Sequence, residues 1–113
     1  AKVQRLPDGR VVGWAGEVGQ AAKIIRWLEN PDSEKPELRD TTEVIVLHPD
    51  GSVIQIEQDL ESQPWAVPCA IGSGSGFAIG AMLAGKSPAE AVEIAAMRDP
   101  NTGGEIHSLR CDE

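Results

Sequence analysis

Two Pro-Asp-Gly tripeptides constrain the fold of this sequence more than any other feature. They are Pro7-Asp8-Gly9 and Pro49-Asp50-Gly51, and each lies between two short segments rich in apolar residues. Proline presets the backbone at the first corner of a turn, and glycine accepts the positive φ that many turns require. The flanking segments are residues 3–6, 10–15, 43–48 and 52–58. The sequence therefore predicts two antiparallel β-hairpins.

Residues 17–28 have apolar side chains at helical spacing. The members of this stripe are Val18, Ala21, Ala22, Ile25 and Leu28. They recur at the i, i+3, i+4 and i+7 positions that place side chains on one face of a helix. Glu17 would lie near the positive end of the helix dipole, where a carboxylate is favourable. An amphipathic helix is predicted here.

Two further helices are predicted in the second half of the chain. Residues 77–84 are rich in small residues, and Gly85 supplies a C-terminal stop. Ser87 and Glu90 have the spacing of a capping box, with Pro88 at the first helical position. The second of these helices would end near Arg98. One side of this helix would carry Ala91, Ile94, Ala95 and Arg98.

The remaining segments complete the predicted element order β-β-α-β-β-β-α-α-β. We expect a polar loop at residues 30–40, irregular chain at 59–68, a short strand at 69–71 and a last strand at 105–110. Strands in antiparallel hairpins, with too few helices to separate parallel strands, exclude a doubly wound parallel sheet. The prediction is an α/β (α+β) fold in one domain, residues 1–113, with helices covering antiparallel sheets.

Composition excludes several classes of protein. Ten Lys plus Arg against eighteen Asp plus Glu give a net charge of −8, which repels nucleic acid. The longest apolar run, residues 66–71, is interrupted by Pro68 and is too short to cross a membrane. Cys69 and Cys111 have no zinc-site spacing with either histidine, so no metal site is predicted. We interpret them as reduced thiols of a cytoplasmic protein.

The glycine-rich segment of residues 72–76 lies between a predicted strand and a predicted helix, where phosphate-binding loops occur. Phe77 stands where a Walker motif needs Lys and where the dinucleotide fingerprint needs its third glycine. The nucleophile-elbow pattern is also out of phase. No cofactor is therefore predicted. On its residues alone, the segment is a tight turn that lets a neighbouring backbone or a substrate approach closely.

Four short segments occur in a fixed order along the chain. They are Ala1-Lys2-Val3-Gln4-Arg5-Leu6, Gly13-Trp14-Ala15-Gly16, Ala70-Ile71-Gly72-Ser73-Gly74 and Arg98-Asp99-x-x-Thr102-Gly103-Gly104. In this order, the set resembles the proteasome β-subunit and HslV superfamily of N-terminal-nucleophile (Ntn) hydrolases. The small proteasome-like proteins of bacteria and phages are the most similar group. The resemblance covers essentially all 113 residues and implies an αββα sandwich of antiparallel sheets.

The resemblance also implies a catalytic mechanism. In this family, the hydroxyl of an N-terminal Thr attacks the substrate carbonyl. The chain's own α-amino group, whose pKa is about 8, acts as the base. Lys2 would take the role of the family's lysine, lowering the pKa of the nucleophile, although Lys2 could equally be a solvated side chain near a terminus. Gly13 would present a backbone N–H to the oxyanion.

Three further positions match the supporting residues of the family's site. Ser73 matches the serine of its G-S-G turn. Asp99 and Thr102 match the carboxylate and hydroxyl residues of its R-D-x-x-[ST]-G-G segment. Together they would orient the amino terminus through hydrogen bonds. From turn chemistry alone, residues 99–104 could instead form an Asx-type turn with a glycine hinge.

The departures from the family pattern concern the front of the domain. The family's N-terminal Thr, and an Asp that partners the lysine, lie upstream of the segment that begins at Ala1. We therefore expect the first hairpin to be missing and this 113-residue chain to be inactive. The resemblance implies a threonine-type peptidase subunit that forms homo-oligomeric rings and acts on polypeptides, with an ATPase unfoldase as a candidate partner. Its exposed helix faces, residues 17–28 among them, are candidate contacts between subunits. The alternatives are a non-catalytic structural or assembly member of the same fold and a generic ligand-binding module.

Overall fold

A computed structural model describes residues 3–16, 18–33, 35–37, 42–56 and 62–99. The described part of the chain contains both strands and helices. In chain order these are β1 Val3–Arg5, β2 Val11–Ala15, α1 Val18–Glu29, β3 Glu43–Leu47, β4 Val53–Ile56, β5 Ser62–Trp65, α2 Ser75–Leu83 and α3 Pro88–Ala96. The predicted α+β fold class with antiparallel pairing is confirmed. The strand predicted at 105–110 lies outside the described residues.

The described strands form one antiparallel sheet in the order β1-β2-β3-β4-β5. Both predicted hairpins are confirmed, since Leu6 N–H donates to Arg10 O and His48 N–H donates to Ser52 O, each at 2.8 Å. The turn glycines Gly9 and Gly51 have φ values of 94° and 89°. These values lie in the left-handed region that glycine enters without steric cost.

Helix α1 covers one face of the sheet and forms the main core with it. The buried residues of this core are Leu6, Val12, Trp14, Ala21, Ile24, Ile25, Leu28, Val44, Val46 and Ile56. The predicted stripe of α1 is wrong at one position, because Ala22 is exposed and Ile24 is buried. The stripe actually used, through residues 21, 24, 25 and 28, has the same helical spacing but buries the larger aliphatic side chain.

Two predictions between β4 and α2 are wrong. Residues 62–65, predicted as irregular, form strand β5, in which Pro64 lies opposite Ile54. A proline is tolerated there because β5 lies at the end of the described strand order, where no further strand needs its backbone donor. Residues 69–71, predicted as a strand, have no strand structure. Ala70 instead packs beside the helix pair described next.

Helices α2 and α3 pack on each other around a small core of Ala78, Ala91 and Ala95. The predicted capping box of α3 is confirmed: Glu90 N–H donates to Ser87 Oγ at 3.2 Å, and Ser87 N–H donates to Glu90 Oε1 at 3.0 Å. Of the four residues predicted on one side of α3, two are buried, one is half-buried and one is exposed; in that order they are Ala91 and Ala95, Ile94, and Arg98. Among the described residues, no helix has the length and apolar character needed to cross a membrane.

Candidate functional site

The centre of the candidate site is a hydrogen bond between Ser73 and Asp99. The Ser73 hydroxyl donates to Asp99 Oδ2, although the two residues are 26 positions apart. Ser73 lies in the turn before α2, and Asp99 follows the end of α3, so the helix pair returns the chain to this turn. Asp99 is 8% exposed, and its backbone N–H donates to Ala95 O at 2.9 Å. Ser73 itself is exposed and can be reached by another group.

The turn that carries Ser73 is shaped by the glycine before it. Gly72 has a φ of 94°, and its carbonyl accepts the N–H of Ser75 at 3.1 Å. A Cβ at Gly72 would lie 3.5 Å from the Cβ of Ala15 at the end of β2. The Gly72 N–H points to the Glu43 carboxylate, with Oε1 at 3.4 Å. The turn therefore lies against the adjoining ends of β2 and β3, where Ala15 pairs with Glu43.

Gly13 lies in the middle of β2, with Val3 of β1 on one side and Ile45 of β3 on the other. Because side chains alternate along a strand, position 13 shares a sheet face with Ala15, the residue that touches the turn. Its backbone groups point toward a neighbouring strand, since β2 is paired on both sides. A role in binding an oxyanion stays a prediction for Gly13.

Lys2 and Thr102 lie outside the described residues, so only three of the five predicted site residues have a described position. Of these three, Ser73 and Asp99 are in direct contact, and Gly13 lies two residues along β2 from Ala15. The proposed roles of all five residues stay predictions.

Two features near the site were not found from the sequence. Glu43 stands at the start of an apolar strand and has no local signal of a special role. Gly16 follows β2 directly and has a φ of 110°, so its backbone leaves the strand direction at the end nearest the turn. The Gly13-Trp14-Ala15-Gly16 segment contained this second glycine, and the strand boundary could have drawn attention to it.

Other reactive side chains in the described residues are poorly suited to catalysis here. Cys69 is half-buried, and burial raises the pKa of its thiol, so the nucleophilic thiolate is disfavoured at neutral pH. His48 follows the end of β3 that is opposite to Glu43, about 17 Å away along the strand. The described residues also contain no group of three His, Cys, Asp or Glu residues able to hold a metal ion.

Comparison with known proteins gives matches by structure alone. No protein-family model matches the sequence, and no curated protein matches it. HslV from Trypanosoma brucei superposes with a TM-score of 0.69 at 22% identity, covering 91% of this chain and 76% of HslV. BPH from Thiobacillus denitrificans gives a TM-score of 0.63 at 19% identity, covering 92% of this chain and 75% of BPH. A second structure, BPH in complex with epoxomicin, gives 0.65 at 20% identity, covering 93% and 75%.

This chain has the Ntn-hydrolase fold of the proteasome-like proteins. The resemblance to proteasome β-subunits and HslV that the four ordered segments predicted is confirmed at the level of the fold. The Ntn-hydrolase fold hosts the Ser73–Asp99 contact beside the end of β2. At these identities the likeness establishes architecture, and the activity has to be argued from the site itself.

Proposed function

We propose that this chain is a subunit of a proteasome-like, threonine-type peptidase that hydrolyses peptide bonds in polypeptides. The observation that carries the proposal is the Ser73–Asp99 hydrogen bond at the end of β2, within an Ntn-hydrolase fold. Neither residue was placed by local pattern alone; both were expected from the family resemblance. The contact between two residues that lie 26 positions apart and that the resemblance assigns to one site supports the proposal.

The geometry of the pair suits the proposed chemistry. The Ser73 hydroxyl uses its only proton in the bond to Asp99, so its oxygen lone pairs remain available to accept hydrogen bonds. An N-terminal α-amino group beside an exposed Ser73 could donate to that oxygen. Held in this way, the amine is oriented to take the proton of the Thr hydroxyl as it attacks the substrate carbonyl.

The other predicted site residues would act on the charges that change during the reaction. The Lys2 ammonium lowers the pKa of the nucleophile. Donation of the Gly13 N–H to the oxyanion rests on the family resemblance alone, because the backbone groups of Gly13 face the strands paired with β2. Thr102 supports the amino terminus together with Ser73 and Asp99. The scheme uses no cofactor and no metal ion.

For the 113-residue polypeptide itself, we propose no peptidase activity. The resemblance puts the family's nucleophilic Thr upstream of the segment Ala1-Lys2-Val3, so residues 1–113 do not include it. Thr42 is 4% exposed and lies inside the chain, so it has no free amino group beside it. The polypeptide then contributes the supporting residues of the site without a nucleophile.

The surface of helix α2 supports a homo-oligomeric assembly. Residues 70–85 contain no charged side chain, and the exposed residues of the helix pair include Phe77, Leu83 and Met97, at 48%, 70% and 79% exposure. A helix that is apolar on every side is normally covered. The outer face of α1, predicted as a contact, exposes Lys23 and Arg26 and is better suited to water. We propose a ring of identical subunits in the cytoplasm, with an ATPase unfoldase as a possible partner.

Epoxomicin binding tests the proposed function. Protein expressed from the complete reading frame is incubated with epoxomicin, the compound bound in the BPH structure, and binding is followed by intact mass and thermal shift. We expect binding to that protein and none to the polypeptide of residues 1–113. Absence of binding and of peptide hydrolysis in both would overturn the proposal in favour of a non-catalytic assembly subunit.

A further inference from the structure

Glu43 is a half-buried acidic residue on the sheet face that also carries Ile45 and Gln55. It begins β3, pairs with Ala15, and shares its face with Ile45 and Leu47, all of them half-buried. A carboxylate that is partly removed from water is unfavourable unless a donor compensates it. Within the described residues, the backbone N–H of Gly72 is such a donor, with its nitrogen 3.4 Å from Oε1 of Glu43.

This contact reaches the turn that presents Ser73. Gly72 is the residue before Ser73, and its φ of 94° sets the direction in which the chain leaves the sheet. The Cβ of Ala15 bounds Gly72 from β2, and the Glu43 carboxylate bounds it from β3. Ser73 is in turn fixed on its other side by Asp99. Two carboxylates, from the sheet and from the end of α3, therefore hold consecutive residues of one turn.

Among the described residues, the buried cluster of the sheet and that of the helix pair share no residue. Apolar packing within either core therefore does not fix the position of Ser73 relative to β2. The contact between Gly72 and Glu43 is directional and links the turn to the sheet. At 3.4 Å it is a long hydrogen bond, so it contributes to that position together with the close approach of Ala15.

We propose that Glu43 is a positioning residue of the candidate site: its carboxylate holds Gly72 against β2 and β3, so that Ser73 stays aligned between Asp99 and the end of the sheet. The inference rests on the proposed function for its catalytic meaning. It adds a residue outside the four family segments. Glu43 acts through Ser73 and does not itself touch the substrate.

Amide hydrogen exchange of Gly72, measured by NMR on the 113-residue protein, tests this inference. Glu43→Met keeps the length of the side chain and removes the acceptor, and we expect the Gly72 amide to exchange about three- to tenfold faster. Glu43→Gln keeps an acceptor oxygen and should restore most of the protection. Glu29→Ala, which removes an exposed carboxylate from the end of α1, is the control and should leave the rate unchanged.

The resonances of Ser73 distinguish positioning from a general structural role. With Glu43→Met they should shift, while the melting temperature stays close to that of the parent protein. If Glu43→Met does not fold, Glu43→Asp withdraws the carboxylate by one methylene group and should also speed exchange at Gly72. Unchanged Gly72 exchange and Ser73 resonances in the folded variant would overturn the inference.

The hydrogen-exchange and NMR measurements need no catalysis, so they are independent of the epoxomicin result. In protein that does hydrolyse peptides, Glu43→Met should lower kcat and leave KM unchanged.

Discussion

Ser73 donates its hydroxyl proton to Asp99, and this bond joins the start of α2 to the end of α3. The acceptor is buried and the donor is exposed. Substitutions at the two residues should therefore have different consequences. The exposed hydroxyl can bind water when Asp99 is changed, whereas the buried carboxylate loses a hydrogen-bond donor when Ser73 is changed. Loss of the donor to the buried carboxylate is the basis of the first prediction.

Ser73→Ala should lower the free energy of unfolding by about 1–2 kcal/mol, since a hydrogen bond to a charged, buried acceptor is lost. Urea denaturation followed by tryptophan fluorescence measures the change. Ser75→Ala is the matched control: it removes a hydroxyl two residues away, and α2 has no side-chain cap. Equal stability of the two variants would contradict the bond between Ser73 and Asp99.

Gly72→Ala and Gly80→Ala should change stability in opposite directions. At Gly72 the φ of 94° is unfavourable for alanine, and we expect a loss of about 1–2 kcal/mol. Gly80 lies within α2, and a Cβ there would meet nothing within 4 Å. Alanine is the better helix former, so we expect a gain of about 0.5–1 kcal/mol. Thermal unfolding of both variants tests this, and a stabilising Gly72→Ala would contradict the conformation of the turn.

Features set by neighbouring residues could be predicted from the sequence, and features set by tertiary contacts could not. The two Pro-Asp-Gly turns and the Ser87–Glu90 capping box carry their own local chemistry, and all three are present. Strand β5 was missed because Pro64 argues against a strand unless that strand lies at a sheet edge, which is a tertiary property. The choice between Ala22 and Ile24 depended on which way α1 faces the sheet.

Some residues of the candidate site could likewise be predicted from the sequence, and one could not. The family resemblance suggested Ser73 and Asp99 before their contact was known. Glu43 could not be predicted, because its contact with Gly72 spans 29 positions and depends on how the turn meets the sheet. Its local sequence is simply the start of an apolar strand.

Glu90 should make stability depend on pH at the acidic end. Hydrogen bonds from the Ser87 backbone hold the pKa of its carboxyl below the ordinary value. A group whose pKa is lowered by folding stabilises the protein above its ordinary pKa, and this stabilisation is lost as the pH falls through the folded value. The stability difference between the parent protein and Glu90→Gln should therefore shrink from pH 7 to pH 3.

Denaturation curves at both pH values, with a carbon-13 titration of the carboxyl, provide the check for Glu90. Glu93→Gln removes a carboxylate from the same helix, outside the capping box, and serves as the control. A difference between parent and Glu90→Gln that stays constant across this range would show that the capping box does not act through the ionised carboxylate.

Leu83→Glu should dissociate the proposed oligomer. The substitution places a charge on the largely exposed apolar surface of α2, where a subunit contact would have to remove it from water. Sedimentation velocity should show a smaller species than the parent protein. Lys23→Glu, on the exposed side of α1, should leave the sedimentation unchanged. An unchanged mass for Leu83→Glu would exclude this face from the assembly.

The most direct test of the account is hydrolysis of a fluorogenic peptide by the purified polypeptide of residues 1–113. We expect no activity above that of buffer, because the resemblance puts the nucleophilic Thr upstream of residues 1–113, which hold only supporting residues of the proposed site. The same assay on protein from the complete reading frame should show hydrolysis that falls with Asp99→Asn. Hydrolysis by residues 1–113 above that of buffer would contradict this expectation, and hydrolysis that persists in the Asp99→Asn variant would place the active centre elsewhere.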